Sequence, residues 1–213
     1  MDKSKTISIK ICGMRDKENI AQVSLLGPQY MGFIFYEKSP RFVGSEFTIP
    51  EGLSSSIKKV GVFVNESDKV IRSKVKSMGF DFVQLHGDEE PGSCLELKDS
   101  GLKIIKAFSV DDDFDFIRTK PYKEAVDYFL FDTKGMYYGG NARSFNWSVL
   151  KKYDQEVPFF LSGGLTPESV IALSDIMDMN LHALDFNSGV ELSPGIKNLE
   201  KVNQAIKLVW GTP

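Results

Sequence analysis

The chain has 213 residues, 42% hydrophobic and 26% charged: enough apolar material for one sizeable core, with no apolar run near the ~20 residues that span a bilayer. A formal net charge of −3 argues against a general nucleic-acid binder, which carries a basic face, and leaves anionic small molecules open, because backbone amides supply local positive potential. Two cysteines, Cys12 and Cys94, and two distant histidines, His86 and His182, make neither a disulfide framework nor a metal-ligand spacing, so no metal is expected. MDKSKTISIK holds no apolar stretch that would serve as a secretory signal, and a reducing, cytoplasmic setting is the expectation.

In chain order the strand-like runs are ISIKIC (7–12), MGFIFY (31–36), KVGVFV (59–64), DFVQLH (81–86), KIIKAF (103–108), DYFLFD (127–132), PFFLSG (158–163) and HALDFN (182–187). They are short, rich in β-branched and aromatic residues, and mostly end in Gly, Asn, Asp or Ser. Helical stretches fall between them. Residues 66–78 place Val70, Ile71, Val75 and Met78 on one side at three-to-four spacing. A helix over 91–99 takes up Cys94 as a packing residue, and the stretch after 111 is a weak helix interrupted by Pro121. Residues 167–178 open with Thr166 as a cap and Pro167 at the first helical position, and 198–209 form the last amphipathic segment.

Strand onsets recur every 20 to 30 residues, eight times. Strands alternating with helices imply a parallel sheet of βαβ units, and eight units suggest a closed (β/α)8 TIM barrel. The rival is an open, doubly wound sheet. No linker divides the chain, so residues 1–213 read as one barrel domain.

In such a barrel the chemistry sits at the C-terminal ends of the strands. That rule gathers Cys12, Asn65, His86, Asp132, Ser162 and Asn187. Asp132 emerges from the apolar run FLFD, where partial desolvation favours the neutral carboxyl and equips it to donate a proton. Each residue also has an ordinary alternative: Cys12 as core packing, Asp132 as a turn cap, His86 as a satisfied strand-end histidine. The turns SGGLTPES and NSGVELSPG follow the last two strands, where barrels commonly hold phosphate, so Gly163, Gly164, Ser188 and Gly189 are a candidate phosphate cradle. Arg41, after Pro40, is a guanidinium at the mouth able to fork onto a carboxylate, or a plain surface arginine. TKGMYYGGNARS, after the sixth strand, is long enough for a flap.

Taken as an ordered set, KICGMRD, GFIFYEKSPRFV, VGVFVN, VQLHGDE, FLFDTKG…YGG, FFLSGGLTPESV and LDFNSGVELSPGIKN resemble the phosphoribosylanthranilate isomerase family, barrel enzymes of tryptophan biosynthesis. The resemblance runs through nearly the whole chain. It implies an Amadori rearrangement of N-(5′-phosphoribosyl)anthranilate without cofactor or metal, on a monomer or a homodimer whose partner is the phosphorylated small molecule, with no nucleic acid or membrane involved. The family's cysteine base falls on Cys12, its aspartic acid on Asp132 and its anthranilate-carboxylate arginine on Arg41. Its phosphate loops fall on Gly163–Gly164 and on Asp185 through Gly189, which includes Asn187. In the bound site a working base would be tuned below the ordinary thiol value near ~8.5, and the acid above ~3.9.

Three positions depart from the family pattern. Asn187 stands where a serine is usual, Asn141 replaces a small residue, and Asn146 replaces an aspartate. Two alternatives remain open: a different phosphosugar-converting barrel enzyme, and a non-catalytic barrel that binds a phosphorylated ligand.

Overall fold

The short β-branched and aromatic runs all become strands. The computed structural model describes residues 6–133 and 147–211. The strands are β1 (Ser8–Ile11), β2 (Tyr30–Ile34), β3 (Lys58–Phe63), β4 (Phe82–Leu85), β5 (Ile104–Val110), β6 (Tyr128–Thr133), β7 (Phe159–Leu161) and β8 (Leu181–Phe186). Each pairs in parallel with the next, and β8 pairs with β1 over Ser8–Ile11 against Ala183–Phe186, so the sheet closes on itself. That last ladder distinguishes the barrel from an open doubly wound sheet.

Side chains alternate across the barrel wall, as a period of two demands. Ile9 and Ile11 of β1, Met31 and Phe33 of β2 and Phe129 and Phe131 of β6 pack in the large outer core beneath the helices. The intervening residues form a separate interior cluster that includes Cys12, Tyr30, Ile34, Val60, Val62, Phe82, Leu130 and Phe160. Burying each large apolar side chain contributes roughly 1.5–3 kcal/mol, and both faces of the wall collect it.

The connecting helices are lean. α1 (Lys17–Ser24), not anticipated from the sequence, is capped by Asp16, whose side chain accepts from Asn19 N. α2 (Asp68–Met78) ends on Gly79 at φ 63°, and α3 (Pro91–Asp99) begins on proline, as expected. The weak stretch after 111 forms only a 3-10 helix, Phe116–Tyr122, because Pro121 lacks the N–H that a longer α-helix would use.

The expected helix over 167–178 is instead a 3-10 turn, Glu168–Leu173, followed by the short α4 (Ser174–Met177). There Ser169 Oγ donates to Thr166 O at 2.8 Å and Thr166 Oγ1 accepts from Ser169 N, so local side-chain bonds compete with the α-helical ladder. A second surprise is the hairpin β9 (Glu191–Ser193) and β10 (Ile196–Lys197), inserted before α5 (Leu199–Trp210).

Candidate active site

The site is built on the inward register of the strands, at their C-terminal ends. Lys10 and Cys12 lie two apart along β1 and its exit, and Cys12 N donates to Phe186 O at 2.8 Å, which pins the sulfur-bearing residue to the end of β8. Gly32 on β2 makes room for it: a Cβ there would stand 2.6 Å from Cys12 Sγ. Cys12, Ile34, Tyr36, Val62, Val64, Gln84, His86, Asp132, Ser162, Asp185 and Asn187 line one pocket, so the sulfur and the carboxyl from opposite sides of the barrel share a single mouth. Its free volume is about 20 Å³.

A chain of hydrogen bonds runs beneath the pocket. Buried Lys10 donates to Asp185 Oδ2 at 2.7 Å and to Gln84 Oε1 at 2.8 Å. With its oxygen engaged, Gln84 presents Nε2 to His86 Nδ1 at 2.7 Å. A nitrogen that accepts carries no hydrogen, so the network assigns the proton of neutral His86 to Nε2. Nε2 lies 3.3 Å from Asp132 Oδ2 and donates to it. A lysine on β1 thereby orients the neighbour of a carboxyl on β6.

The sulfur is shifted opposite to the direction expected of it in the bound site. Burial pushes the Cys12 thiol up, and the Lys10 ammonium opposes this without prevailing. Lys10 itself is held above its ordinary value: burial works against its charge, and Asp185 and Cys12 together outweigh burial. Asp185 shifts upward, chiefly through burial, with Lys10 pulling the other way.

The phosphate-cradle residues come together. Gly163 and Gly164 take φ of 99° and 68°, and their N–H groups meet no protein acceptor among the described residues. Gly189 touches the turn after β7 so closely that a Cβ would stand 2.0 Å from Leu165 O. Ser188 and Gly189 belong to a 3-10 turn that follows Asn187.

Asp185 does not fit the phosphate set in which the resemblance placed it. Its carboxylate pairs with Lys10 inside the barrel, and a negative charge facing phosphate repels it. Its Oδ1 is buried without a hydrogen-bond partner on the wall of the pocket that holds Cys12.

Arg41 is buried, not a solvated surface residue, and its fork already grips a protein carboxylate. Nε lies 2.9 and 3.0 Å from the two oxygens of Glu191, and Nη2 2.6 Å from Oε2. Lys197, also buried, donates to Glu191 Oε1 at 2.7 Å and to Asn187 Oδ1 at 2.9 Å.

Lys10, Gln84, Glu191 and Lys197 escaped the sequence reading. The signal for two of them was present: a lysine and a glutamine in the inward register of apolar strands, two residues before Cys12 and His86. Asn141, Asn146 and most of the TKGMYYGGNARS segment lie outside the described residues. Among the described residues no group of three or more His, Cys, Asp or Glu side chains could hold a metal ion.

A larger cavity, about 710 Å³, opens between the segments after β4 and β5, lined by Asp88, Glu90, Asp111, Asp113 and Asp115 among others. It shares only His86 with the Cys12 pocket. Its carboxylate-rich wall is ill suited to an anionic sugar phosphate.

Comparison with known proteins bears on what this mouth does. The sequence profile of N-(5′-phosphoribosyl)anthranilate (PRA) isomerase matches residues 9–208. The N-(5′-phosphoribosyl)anthranilate isomerase of Parabacteroides distasonis is 42% identical over 204 residues, covering 94% of this chain and 92% of its own. Phosphoribosyl anthranilate isomerase from Thermotoga maritima superimposes with a TM-score of 0.85 at 33% identity, over 97% of this chain and all of its own. A structure of the isomerase in complex with reduced 1-(o-carboxyphenylamino)-1-deoxyribulose 5-phosphate superimposes at 0.80 with 30% identity, over 97% of this chain and all of that one.

Proposed function

The chain belongs to the N-(5′-phosphoribosyl)anthranilate isomerase family, and we propose that Cys12 is the general base and Asp132 the general acid of its reaction. The enzyme converts N-(5′-phosphoribosyl)anthranilate to 1-(2-carboxyphenylamino)-1-deoxyribulose 5-phosphate, an Amadori rearrangement in tryptophan biosynthesis. The observation that carries the assignment is the shared pocket of Cys12 and Asp132.

Asp132 delivers a proton to the furanose ring oxygen as the C1′–O bond breaks, and the anilino nitrogen lone pair forms the iminium. Cys12, as thiolate, takes the C2′ proton; its C–H electron pair becomes the C1′–C2′ double bond and neutralises the nitrogen. The C2′ hydroxyl then loses its proton while C1′ gains one, giving the ketone with no net change in atoms or electrons. The buried sulfur is the harder partner to prepare. Lys10 is the cation that favours its thiolate, and a bound, desolvated substrate strengthens that attraction.

Phosphate is held by the N–H groups of Gly163 and Gly164 and by the turn of Asn187, Ser188 and Gly189, as backbone cradles hold anions. Arg41 grips the anthranilate carboxylate. Glu191 occupies its Nε edge, and a guanidinium still offers the end-on pair of Nη1 and Nη2 hydrogens. Asp185 Oδ1 accepts from a sugar hydroxyl in place of the phosphate contact. The site residues all come from one chain, so a monomer and a homodimer serve equally. Both cysteines are free, which suits the cytoplasm, and among the described residues no helix is long and apolar enough to cross a membrane.

The test is turnover of synthetic substrate, followed by the loss of anthranilate fluorescence, in the wild type and in Cys12→Ala and Asp132→Asn. Near-native turnover by either variant would remove that residue from its role.

A further inference from the structure

The hairpin of β9 and β10 ties Arg41 to the turn at Asn187. Its first residue, Glu191, gathers Arg41 Nε and Nη2, Lys197 Nζ and Gly195 N around one buried carboxylate. Its last, Lys197, reaches past Glu191 to both the carbonyl and the side-chain oxygen of Asn187, at 3.3 and 2.9 Å. Arg41 arrives from the segment after β2 and Asn187 from the end of β8. Gly13 shows how close they come: a Cβ there would meet Arg41 Cδ at 2.8 Å and Asn187 Oδ1 at 2.7 Å.

The energetics make this arrangement directional. The Arg41 and Glu191 side chains are 8% and 5% exposed, and Lys197 is fully buried. Buried like charges repel, so Arg41 and Lys197 can share this space only with Glu191 between them. The bidentate edge also fixes the guanidinium plane, which a single contact would leave free to swing. Burial pulls the Lys197 ammonium below its ordinary value while Glu191 supports its charge.

We infer that Glu191, braced by Lys197, is the positioning residue that sets Arg41 at a fixed distance from the phosphate turn, so that the site selects ligands carrying a carboxylate and a phosphate at matching separation. This rests on the reading of Arg41 as the carboxylate grip. Glu191 touches no substrate; it acts through Arg41.

The test compares two inhibitors: reduced 1-(o-carboxyphenylamino)-1-deoxyribulose 5-phosphate, and the same molecule without the ring carboxylate. Their inhibition constants are measured on the wild type, Glu191→Gln, Glu191→Gln/Lys197→Met and Arg41→Met. Glutamine offers one acceptor oxygen and no charge, so the two-oxygen fork cannot form. The expected result is roughly 10–100-fold weaker binding of the carboxylate-bearing inhibitor by Glu191→Gln, with the carboxylate-free one changed by less than about threefold. KM should rise with little change in kcat, and Glu191→Asp should restore part of the discrimination. The double variant removes the buried cation that would repel Arg41 and gives the same discrimination, so it decides the matter if the single variant fails to fold.

Equal weakening of both inhibitors would make Glu191 merely structural and overturn the inference, as would no weakening of either. If Arg41→Met discriminates and the Glu191 variants do not, the positioning claim alone falls. If Arg41→Met fails to discriminate, the carboxylate reading falls and takes the inference with it.

Discussion

The barrel interior has two ends, lined by alternate residues of the same strands. At the floor, Tyr30, Phe82, Tyr128, Phe160 and His182 pack ring against ring, with centroids 4.4 to 6.0 Å apart. Two to four residues further along those strands, Gln84, His86 and Asp132 face the mouth with Lys10 and Cys12. Each end holds one histidine. His182 takes a hydrogen bond with Tyr30 OH at 2.7 Å inside an aromatic box, whereas His86 is fixed by Gln84 and turned toward Asp132. A buried polar group must be satisfied in either place. At the floor the bond to Tyr30 sits within ring packing; at the mouth a continuous chain of hydrogen bonds runs beneath a thiol and a carboxyl that face a cavity.

That contrast breaks most visibly if the mouth proves to be packing. Cys12→Ala and Asp132→Asn should each lower kcat/KM by about 10²–10⁴, the usual span for a general acid or base, while thermal unfolding keeps its midpoint within a few degrees. Steady-state fluorescence and a melting curve on the same preparations read both quantities. A variant that lost stability and activity together would put the mouth in the same class as the floor.

His86→Leu comes next. It deletes a donor to Asp132 and leaves the Gln84 amide without its acceptor. A hydrogen bond to the carboxylate that Asp132 becomes as it gives up its proton is worth about 1.5–3 kcal/mol, so roughly 10–100-fold should go from kcat, with KM less affected. His182→Leu should leave kcat alone. Equal losses from the two histidines would erase the distinction between the ends.

These expectations also mark how far the sequence could be read. The eight strands, their parallel order and the strand-end residues follow from short apolar runs at regular intervals, because a closed parallel barrel leaves few other arrangements for them. The pocket partners Cys12 and Asp132 follow from the same rule. Lys10 and Gln84 were harder, since a polar residue inside an apolar strand looks like an interruption until the interior register is known. Glu191 and Lys197 lie in a hairpin that no periodicity announces, and the pairing of Glu191 with Arg41 is a contact between segments 150 residues apart. Asp185 sits next to a phosphate turn in sequence, although alternation directs its side chain inward to Lys10.

A smaller effect concerns the charge of the sulfur. Burial raises the Cys12 thiol against the pull of Lys10, with Asp185 adding to the rise and Lys197 to the pull. The folded state therefore holds its thiol proton more tightly than the unfolded chain. The resulting stability is fully present below the ordinary value near ~8.5 and is lost as pH climbs through the raised folded value. Alkylation of Cys12 by iodoacetamide, followed by mass spectrometry, should reach its half-rate above ~8.5 in the free enzyme, and kcat/KM should still be rising there. The pH dependence of the difference in melting midpoint between wild type and Cys12→Ala reports this contribution. Cys94, pushed up to about 11 by burial, stays silent across that window. A half-rate below ~8.5 would mean that Lys10 outweighs burial already in the free enzyme, and the mouth would differ from the floor in charge as well as in packing.

The smallest expected change lies at the floor. Tyr30→Phe removes the hydroxyl that meets His182 Nε2 and keeps the ring that packs against Phe82 and Phe160. Burial has pushed the Tyr30 phenol up to about 12, so the hydroxyl is neutral at any working pH and the lost bond joins a neutral phenol to an imidazole. Such a bond contributes about 0.5–1.5 kcal/mol, and in a chain of this length 1 kcal/mol moves the melting midpoint by roughly 2–4 °C. His182 is only partly buried, so water replaces some of what is lost and the lower half of that range is expected. Turnover should not change, because the floor reaches the reacting atoms only through further layers of side chains. Calorimetry and the fluorescence assay on one preparation decide it. A fall in kcat comparable to that of His86→Leu would show that the two ends of the barrel are mechanically coupled, and the division of labour between packing and chemistry would have to be redrawn along the strands rather than across them.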